Sequence, residues 1–520
     1  MIARRPGRWV PWIVLGAAVT WLLVREWHYA GWMDDDAFIS FRYARNLARG
    51  LGLVFNPGER VEGYTNFLWT VLMAGAAKLG LDIPSTAQVL GSGFSLATLA
   101  VLVRMPGGPS TPGWRVFPAV LLCVSESWAA WAVGGLESVF AAFLVVVAIY
   151  AFLRHQSDRK PRLLVGAAVA ASLAAMTHPS HVLVALVLAI ALGAEALHRR
   201  STTALIRFTA VFVALFGTYF LLRALYYGAL LPNTFYAKVG ASGSVLARGR
   251  AYLFGVLQAF PFLALAVVGF AGLWIRRRRG TPDAEPGASA DWDAPVLLGL
   301  VALYLLYALA IGGDAFPALR LLVVPLPLLC LIAARVLAPL RPRLRWMVAA
   351  VLVAGTAGFA YRHPKHRELD LAVAVDNIAM YKTAGLWMKQ NFPAGSVLAY
   401  SGAGVVPYYG EMRFIDTLGL VDAHIARTRT KAIGQGLAGH EKGDGRYVLS
   451  REPDFIMFTG TPISSPAPNF KTDHELLGIQ EFQFDYQVMR VPLRYTARRS
   501  GKVHLFNLFL YRRIAPHGRS

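Results

Sequence analysis

Long apolar segments recur from Trp9 to Ala360, and beyond that point the pattern stops. They occupy residues 9–26, 85–103, 116–133, 136–153, 163–178, 181–197, 208–225, 251–275, 295–311, 319–338 and 346–360. A hydrocarbon core demands roughly 20 such residues per helix, so several segments are short and their ends are set only to within a few residues. The stretch 66–80 differs. Its apolar part is about 14 residues, a length that suits a re-entrant or interfacial helix. Only 16% of the 520 residues are charged, against roughly 25% in soluble domains, which excludes disorder and disfavours a soluble enzyme. Both cysteines, Cys123 and Cys330, sit inside apolar runs, which leaves neither a disulfide scaffold nor a cysteine zinc site.

The net charge of +22 has two readings, nucleic-acid binding or a membrane protein with basic loops. The positions of the arginines decide. Arg4, Arg5 and Arg8 precede the first segment. Arg104 with Arg115, then Arg154, Arg159, Lys160 and Arg162, then Arg199, Arg200 and Arg207 flank later ones. Residues 276–279 are four consecutive arginines, and Arg335, Arg341, Arg343 and Arg345 close the series. If 66–80 does not cross, all six clusters share one side, which the positive-inside rule makes cytoplasmic. If it crosses, the rule is broken. Eleven spans follow, with the N-terminus inside and the C-terminus outside. No cluster is interleaved with aromatics as a stacking groove requires, so no nucleic acid is expected. The first segment lacks a small-x-small cleavage site before Arg25-Glu26-Trp27-His28 and reads as a retained anchor rather than a signal peptide.

From Tyr361 the composition becomes that of a soluble domain, giving a division into 1–360 (with a first outer loop at 27–65) and 361–520. Residues 370–391 read as an amphipathic helix. Strand-like runs follow at 396–400, 455–458, 483–491 and 504–511, separated by Gly/Pro-rich turns. Residues 281–293 read as a plain linker.

On this topology five polar motifs fall at one membrane surface. Asp34, Asp35 and Asp36 lie in the first outer loop, with Arg42 beyond them, and Glu137 lies in the turn Gly134-Gly135-Leu136-Glu137. His178 and His181 bracket Pro179. Tyr227, Asn233, Tyr236 and Lys238 share one stretch, and Asp314 and Arg320 share another. Singly, each has a plain explanation: a solvated acidic loop, an acid favoured by a helix N-terminus, a structural ion pair, interfacial tyrosines. The two histidines match no zinc spacing. Jointly, charges at a lipid boundary mark function. A carboxylate can act as general base toward a hydroxyl, and Lys238, Arg320, Arg42, Tyr227, Asn233 and Tyr236 are candidates to hold a lipid-linked phosphate or its sugar. Glu137, His178 and Asp314 are further candidates. No P-loop or dinucleotide fingerprint is present.

Asp35-Asp36-Ala37-Phe38-Ile39-Ser40-Phe41-Arg42-Tyr43 and Gly-Leu-Val-Phe-Asn-Pro-Gly-Glu-Arg-Val-Glu-Gly-Tyr-Thr-Asn-Phe-Leu-Trp at 52–69 resemble the first outer loop of bacterial GT-C glycosyltransferases. Within that superfamily they are similar to the mycobacterial terminal arabinofuranosyltransferase and its relatives. Gly-Leu-Glu at 135–137, the 226–238 and 312–327 stretches, Ile415-Asp416-x-x-Gly419-Leu420-x-Asp422 and Gly439-His440-Glu441-Lys442 share the likeness. The resemblance implies a polytopic α-helical membrane protein with a GT-C-like catalytic part, about eleven transmembrane helices plus the re-entrant helix, and a C-terminal α/β extracytoplasmic domain. It implies an inverting transferase in the bacterial inner (plasma) membrane. The sugar, arabinofuranose by this likeness, would pass from a polyprenyl-phosphate donor to a glycan or other cell-envelope acceptor.

The loop aspartate that acts as base in such enzymes maps onto Asp35 or Asp36. Asp35 is the preferred base, the other carboxylate being a structural or metal-binding partner, and Asp34 is expected to be incidental. Some relatives use a divalent ion (magnesium, manganese or calcium) and others none; here Asp35 or Asp36 would hold it. Where relatives often carry Thr-Arg-Pro-Glu, this chain has Thr177-His178-Pro179-Ser180, a departure that bears on substrate choice. Two other classes compete: a transporter or flippase for lipid-linked sugars, and a glycan-binding membrane scaffold without catalysis. Transporters typically show matching halves and polar groups near the midplane; neither is evident.

Overall fold

A computed structural model describes residues 9–514 except 107–112, 239–242, 261–266, 273–274, 276–292, 363, 431, 461–462 and 499. The arginines at 4, 5, 8 and 276–279, and the linker before Asp293, lie outside the described residues. Among the described residues six helices are long and apolar enough to cross a bilayer: Val10–Tyr29, Ile83–Val103, Ser138–Asp158, Pro179–Arg199, Thr203–Tyr227 and Asp293–Ala310. All six coincide with expected segments. Pro161–Thr177 and Pro342–Arg362 occupy two more, and Gly243–Ala259 overlaps the start of the segment at 251–275. Prolines open several of these helices, at the position where a missing N–H costs nothing.

Two expected spans are not single helices. Segment 116–133 divides into Phe117–Cys123 and Glu126–Val133. The break frees Glu126 to accept from Arg25 Nε at 3.0 Å, Arg25 Nη2 at 2.9 Å and the Tyr29 hydroxyl at 2.6 Å, which pairs a carboxylate that could not stand alone inside a bundle. Segment 319–338 begins instead as the 3-10 turn Pro317–Leu322 and becomes α-helical only over Leu326–Leu337. Ala318 and Leu319 both take left-handed backbone, φ 52°, a conformation costing roughly 1–3 kcal/mol per residue. The two strained residues directly precede Arg320.

Phe67–Lys78 is the short helix anticipated at 66–80. Its 12 residues reach about 18 Å, well short of a bilayer core. Both of its ends lie on one face of the bundle. Asn66, before it, donates to Glu137, and Gln88, soon after it, donates to the carbonyls of Ala30 and Val133. Helix Thr203–Tyr227 leaves Ile206, Leu221, Leu222 and Leu225 exposed, a face suited to lipid rather than water. Ser138–Asp158 and Pro161–Thr177 bury alanines such as Ala167, Ala171 and Ala174, small side chains that let helices approach closely.

The C-terminal part holds a five-stranded sheet in the order β2-β1-β3-β5-β4, with β1 Val397–Tyr400, β2 Arg413–Asp416, β3 Phe455–Met457, β4 Tyr486–Thr496 and β5 Val503–Arg513. β1 is parallel to β2 and β3; β5 runs antiparallel to β3 and β4. Pro492 lies in β4, an edge strand, where a missing donor is tolerated. The amphipathic stretch at 370–391 is two helices, Pro364–Val375 and Asn377–Asn391. Asp376 turns left-handed between them (φ 53°) and caps the second through Ala379 N at 3.1 Å.

Candidate active site

The acidic loop forms its own helix, Asp35–Ala48. Asp34 is its N-cap, the side chain accepting from Asp36 N at 3.0 Å. It is therefore a structural element of the motif rather than incidental, for aspartate is a strong N-cap. Burial, reinforced by the charge of Asp36, holds the Asp34 carboxyl well above the ordinary range.

Asp35 and Asp36 have separate environments. Asp35 points into the sheet domain, where its Oδ1 accepts from Val405 N at 2.8 Å at the start of helix Val405–Gly410. Burial pushes its pKa up to about 6, against the opposing pull of the Val405 and Gly404 amides. The approach is close enough to require glycine: a Cβ on Gly404 would lie 2.1 Å from the Asp35 carbonyl oxygen and 2.4 Å from its Oδ2. Asp36 stays open, its side chain 31% exposed, with Oδ2 3.7 Å from Lys238 Nζ.

Around Asp36 the other motifs converge. Arg320 pairs with Asp314, Nε to Oδ2 3.4 Å, and lies in electrostatic reach of Asp34, Asp36 and Glu137. Phe316 forms a floor under both cations, its ring centroid 3.8 Å from the Arg320 guanidinium carbon and 5.8 Å from Lys238 Nζ. Glu137 accepts from Asn66 Nδ2 at 2.7 Å. His178 sits within range of the Arg320 and Lys238 charges, its Nδ1 2.8 Å from Ser180 Oγ. From the sheet domain Gly439 (φ +80°) rides on the Lys238 stem. Burial pushes the imidazole of His440 beside it below its ordinary value, and Lys238 and Asp36 are within electrostatic reach.

Four expected ligand-binding residues are committed elsewhere. Arg42 is buried, with Nε donating to Phe55 O at 2.9 Å, Nη1 to Pro407 O at 2.8 Å and Nη2 to Met412 O at 2.7 Å and Asn56 Oδ1 at 3.3 Å. It is a strut between loop and sheet domain, with four of its five N–H donors spent on protein acceptors. Asn233 Nδ2 points at the carbonyls of Gly419, Leu420 and Asp422. Tyr227 donates to Leu53 O at 2.9 Å and meets the Tyr64 hydroxyl. Tyr236 lies under the Arg427 guanidinium, and its carbonyl accepts from Lys442. Apart from Phe55 and Asn56, which lie 13 and 14 residues from Arg42, their partners are more than 160 residues away, so the sequence carries no local sign of them. Asp416 and Asp422 order the loop they begin and end. Asp416 accepts from Leu418 N and Val421 N, and Asp422 from His424 N and Ile425 N. Glu441 is anchored by Arg248 and Gly434 N. Phe316, Asn66 and the Val405 amide were not foreseen; an aromatic beside Gly-Gly-Asp was the one visible hint.

Among the described residues no three His, Cys, Asp or Glu side chains converge, and the two aspartates face an ammonium and a backbone amide. Two cations, Lys238 and Arg320, over one aromatic floor suit an anion.

Known proteins extend these observations. The chain is similar to the terminal β-(1→2)-arabinofuranosyltransferase of Mycobacterium tuberculosis, 29% identical over 371 residues that cover 63% of this chain and 58% of the relative. The Corynebacterium glutamicum enzyme of the same name is 26% identical over 342 residues, 57% of this chain and 46% of the relative. The chain thus spans about half the length of the curated relatives it matches. A domain of unknown function (DUF8728) matches residues 371–506. Among solved structures, ArnT from Cupriavidus metallidurans bound to undecaprenyl phosphate superposes with TM-score 0.52 at 15% identity, over 78% of this chain and 85% of that one. The mycobacterial arabinofuranosyltransferase AftD gives 0.51 at 16% identity, over 97% of this chain and 40% of that one. The chain has the GT-C fold.

Proposed function

We propose that this protein moves a sugar from a polyprenyl-phosphate donor to an acceptor hydroxyl at the extracytoplasmic face of the bacterial inner membrane, with inversion. The observation that carries this reading is the juxtaposition of the open carboxylate of Asp36 with Lys238, beside Arg320 on the shared Phe316 floor. Asp36 takes the acceptor proton as the hydroxyl oxygen attacks the anomeric carbon. The bond from that carbon to the phosphate oxygen breaks on the opposite side, which inverts the centre. The electron pair leaves with the polyprenyl phosphate, whose charge Lys238 and Arg320 hold. Asp35, preferred as base on sequence grounds, is on this reading the positioning residue, since one of its oxygens is committed to Val405.

The names of the curated relatives favour arabinofuranose as the sugar and an arabinan as acceptor. The test uses the full chain in nanodiscs with radiolabelled decaprenyl-phosphoryl arabinofuranose and an arabino-oligosaccharide. Labelled product with inverted linkage supports the reading. Absence of transfer from both this donor and its hexosyl counterparts, with the protein folded, refutes it.

A further inference from the structure

At the end of the bundle away from Asp36, a cavity of about 650 Å3 opens between the start of helix Val10–Tyr29 and the far ends of Ile83–Val103 and Ser138–Asp158. Its walls are apolar, with Trp12, Val19 and Leu99 among them, and Arg104, Arg115 and Arg154 reach it from three different elements. Among the described residues the carboxylate paired with these arginines is that of Asp158, 3.1 Å from Arg154 Nη2, and Lys160 lies beside it as well. Arg104 Nη1 otherwise donates only to a carbonyl of its own helix, Ala100 O at 2.8 Å. The mouth therefore carries surplus positive charge over an oily interior. Glu137 caps the start of helix Ser138–Asp158 and Arg154 lies near its end, so this cavity lies roughly 25 Å along the axis from the acidic site.

We propose that the cavity holds one anionic phospholipid, its phosphate among Arg104, Arg115 and Arg154 and an acyl chain against Val19 and Leu99. Basic pockets between membrane helices hold anionic headgroups, and the volume falls within the range of about 300–1,000 Å3 usual for ligand sites. A free phosphate would leave the apolar wall unused, and a zwitterionic lipid would leave the positive surplus unanswered. Trp12, at the mouth, sits where an aromatic ring meets the headgroup layer. Nothing in the transfer chemistry proposed above calls for this site, so the two stand independently.

The full chain, released from nanodiscs containing equal phosphatidylglycerol and phosphatidylcholine, is weighed with its bound lipid by native mass spectrometry. Phosphatidylglycerol is expected to be retained preferentially. Arg104→Gln with Arg115→Gln should weaken that retention by roughly 10- to 30-fold. Ala100→Trp keeps every charge, and hence the basic clusters along the chain, while filling the cavity; it should cause a comparable loss. Asp36→Asn should retain phosphatidylglycerol as the wild type does. Equal retention of the two lipids by the wild type, or wild-type phosphatidylglycerol retention in Ala100→Trp, overturns the proposal.

Discussion

Asp35→Asn keeps an oxygen for the Val405 amide, removes the charge and turns the other acceptor oxygen into an NH2 donor. The Asp35 carboxyl, ordinarily near 3.8, rises to about 6 because burial outweighs its amide contacts. Below 3.8 it is protonated whether the chain is folded or not. Between 3.8 and about 6 the unfolded chain gives up the proton first, and above 6 the folded chain carries a buried charge. The folded state is thus favoured most at low pH, and that advantage is lost as pH rises through about 6. The full shift corresponds to about 3 kcal/mol at pH 7, an upper figure because Asp35 is only half-buried. Asparagine has no such term, so the variant should melt above the wild type at pH 7 and together with it near pH 4. The gap amounts to at most about 3 °C, at roughly 1 °C per kcal/mol for a chain of 520 residues. Tryptophan-fluorescence melting of the full chain in nanodiscs, in steps from pH 4 to 8, reads the gap directly. An Asp35→Asn transition below wild type at pH 7, or a gap that ignores pH, would refute the burial account. The same preparations, assayed for transfer, divide the roles. Asp36→Asn should lose about 10²- to 10⁴-fold, with Asp35→Asn keeping most activity; the reverse order sinks the assignment of Asp36 as base.

Three further outcomes follow from the contacts. Lys238→Gln and Arg320→Gln should each weaken donor binding by about tenfold or more, with acceptor KM unchanged, as measured by titration with a polyprenyl-phosphoryl sugar; an unchanged donor affinity removes either from the phosphate site. Gly404→Ala should cost about 1–3 kcal/mol and expose the loop at 27–65 to limited proteolysis, since its Cβ has no room beside Asp35. Arg42→Met leaves buried carbonyls unanswered and should destabilise by about 3–5 kcal/mol, read as lost folded yield, with the donor KM of surviving protein unaltered.

The membrane part was legible where one physical rule governs one segment. Apolar length found the helices, and the 12 residues of Phe67–Lys78 are too few for a span. It failed at Val124-Ser125, because the polar group that demands the break, Arg25, lies a hundred residues away. Of the sheet, the runs leading to β1, β3, β4 and β5 were visible, whereas the four-residue β2 between turns was not. Within the site, residue types announced chemistry, but not which residues were already spent. Arg42 and Asn233 looked as available as Lys238 until carbonyls of residues 407, 412 and 419–422 proved to be facing them.

The clamp on Asp35 also has a consequence in time. Its partner Val405 is 370 residues downstream, and a ribosome working at about 5–20 residues per second needs roughly 20–70 s to reach it. Through that interval the acidic helix lacks the amide that seats it and the Gly439 backbone that packs on Lys238. A nascent chain stalled or truncated before residue 405 carries the acids without the scaffold that aims them. Completion of the C-terminal domain is thereby the event that supplies both contacts.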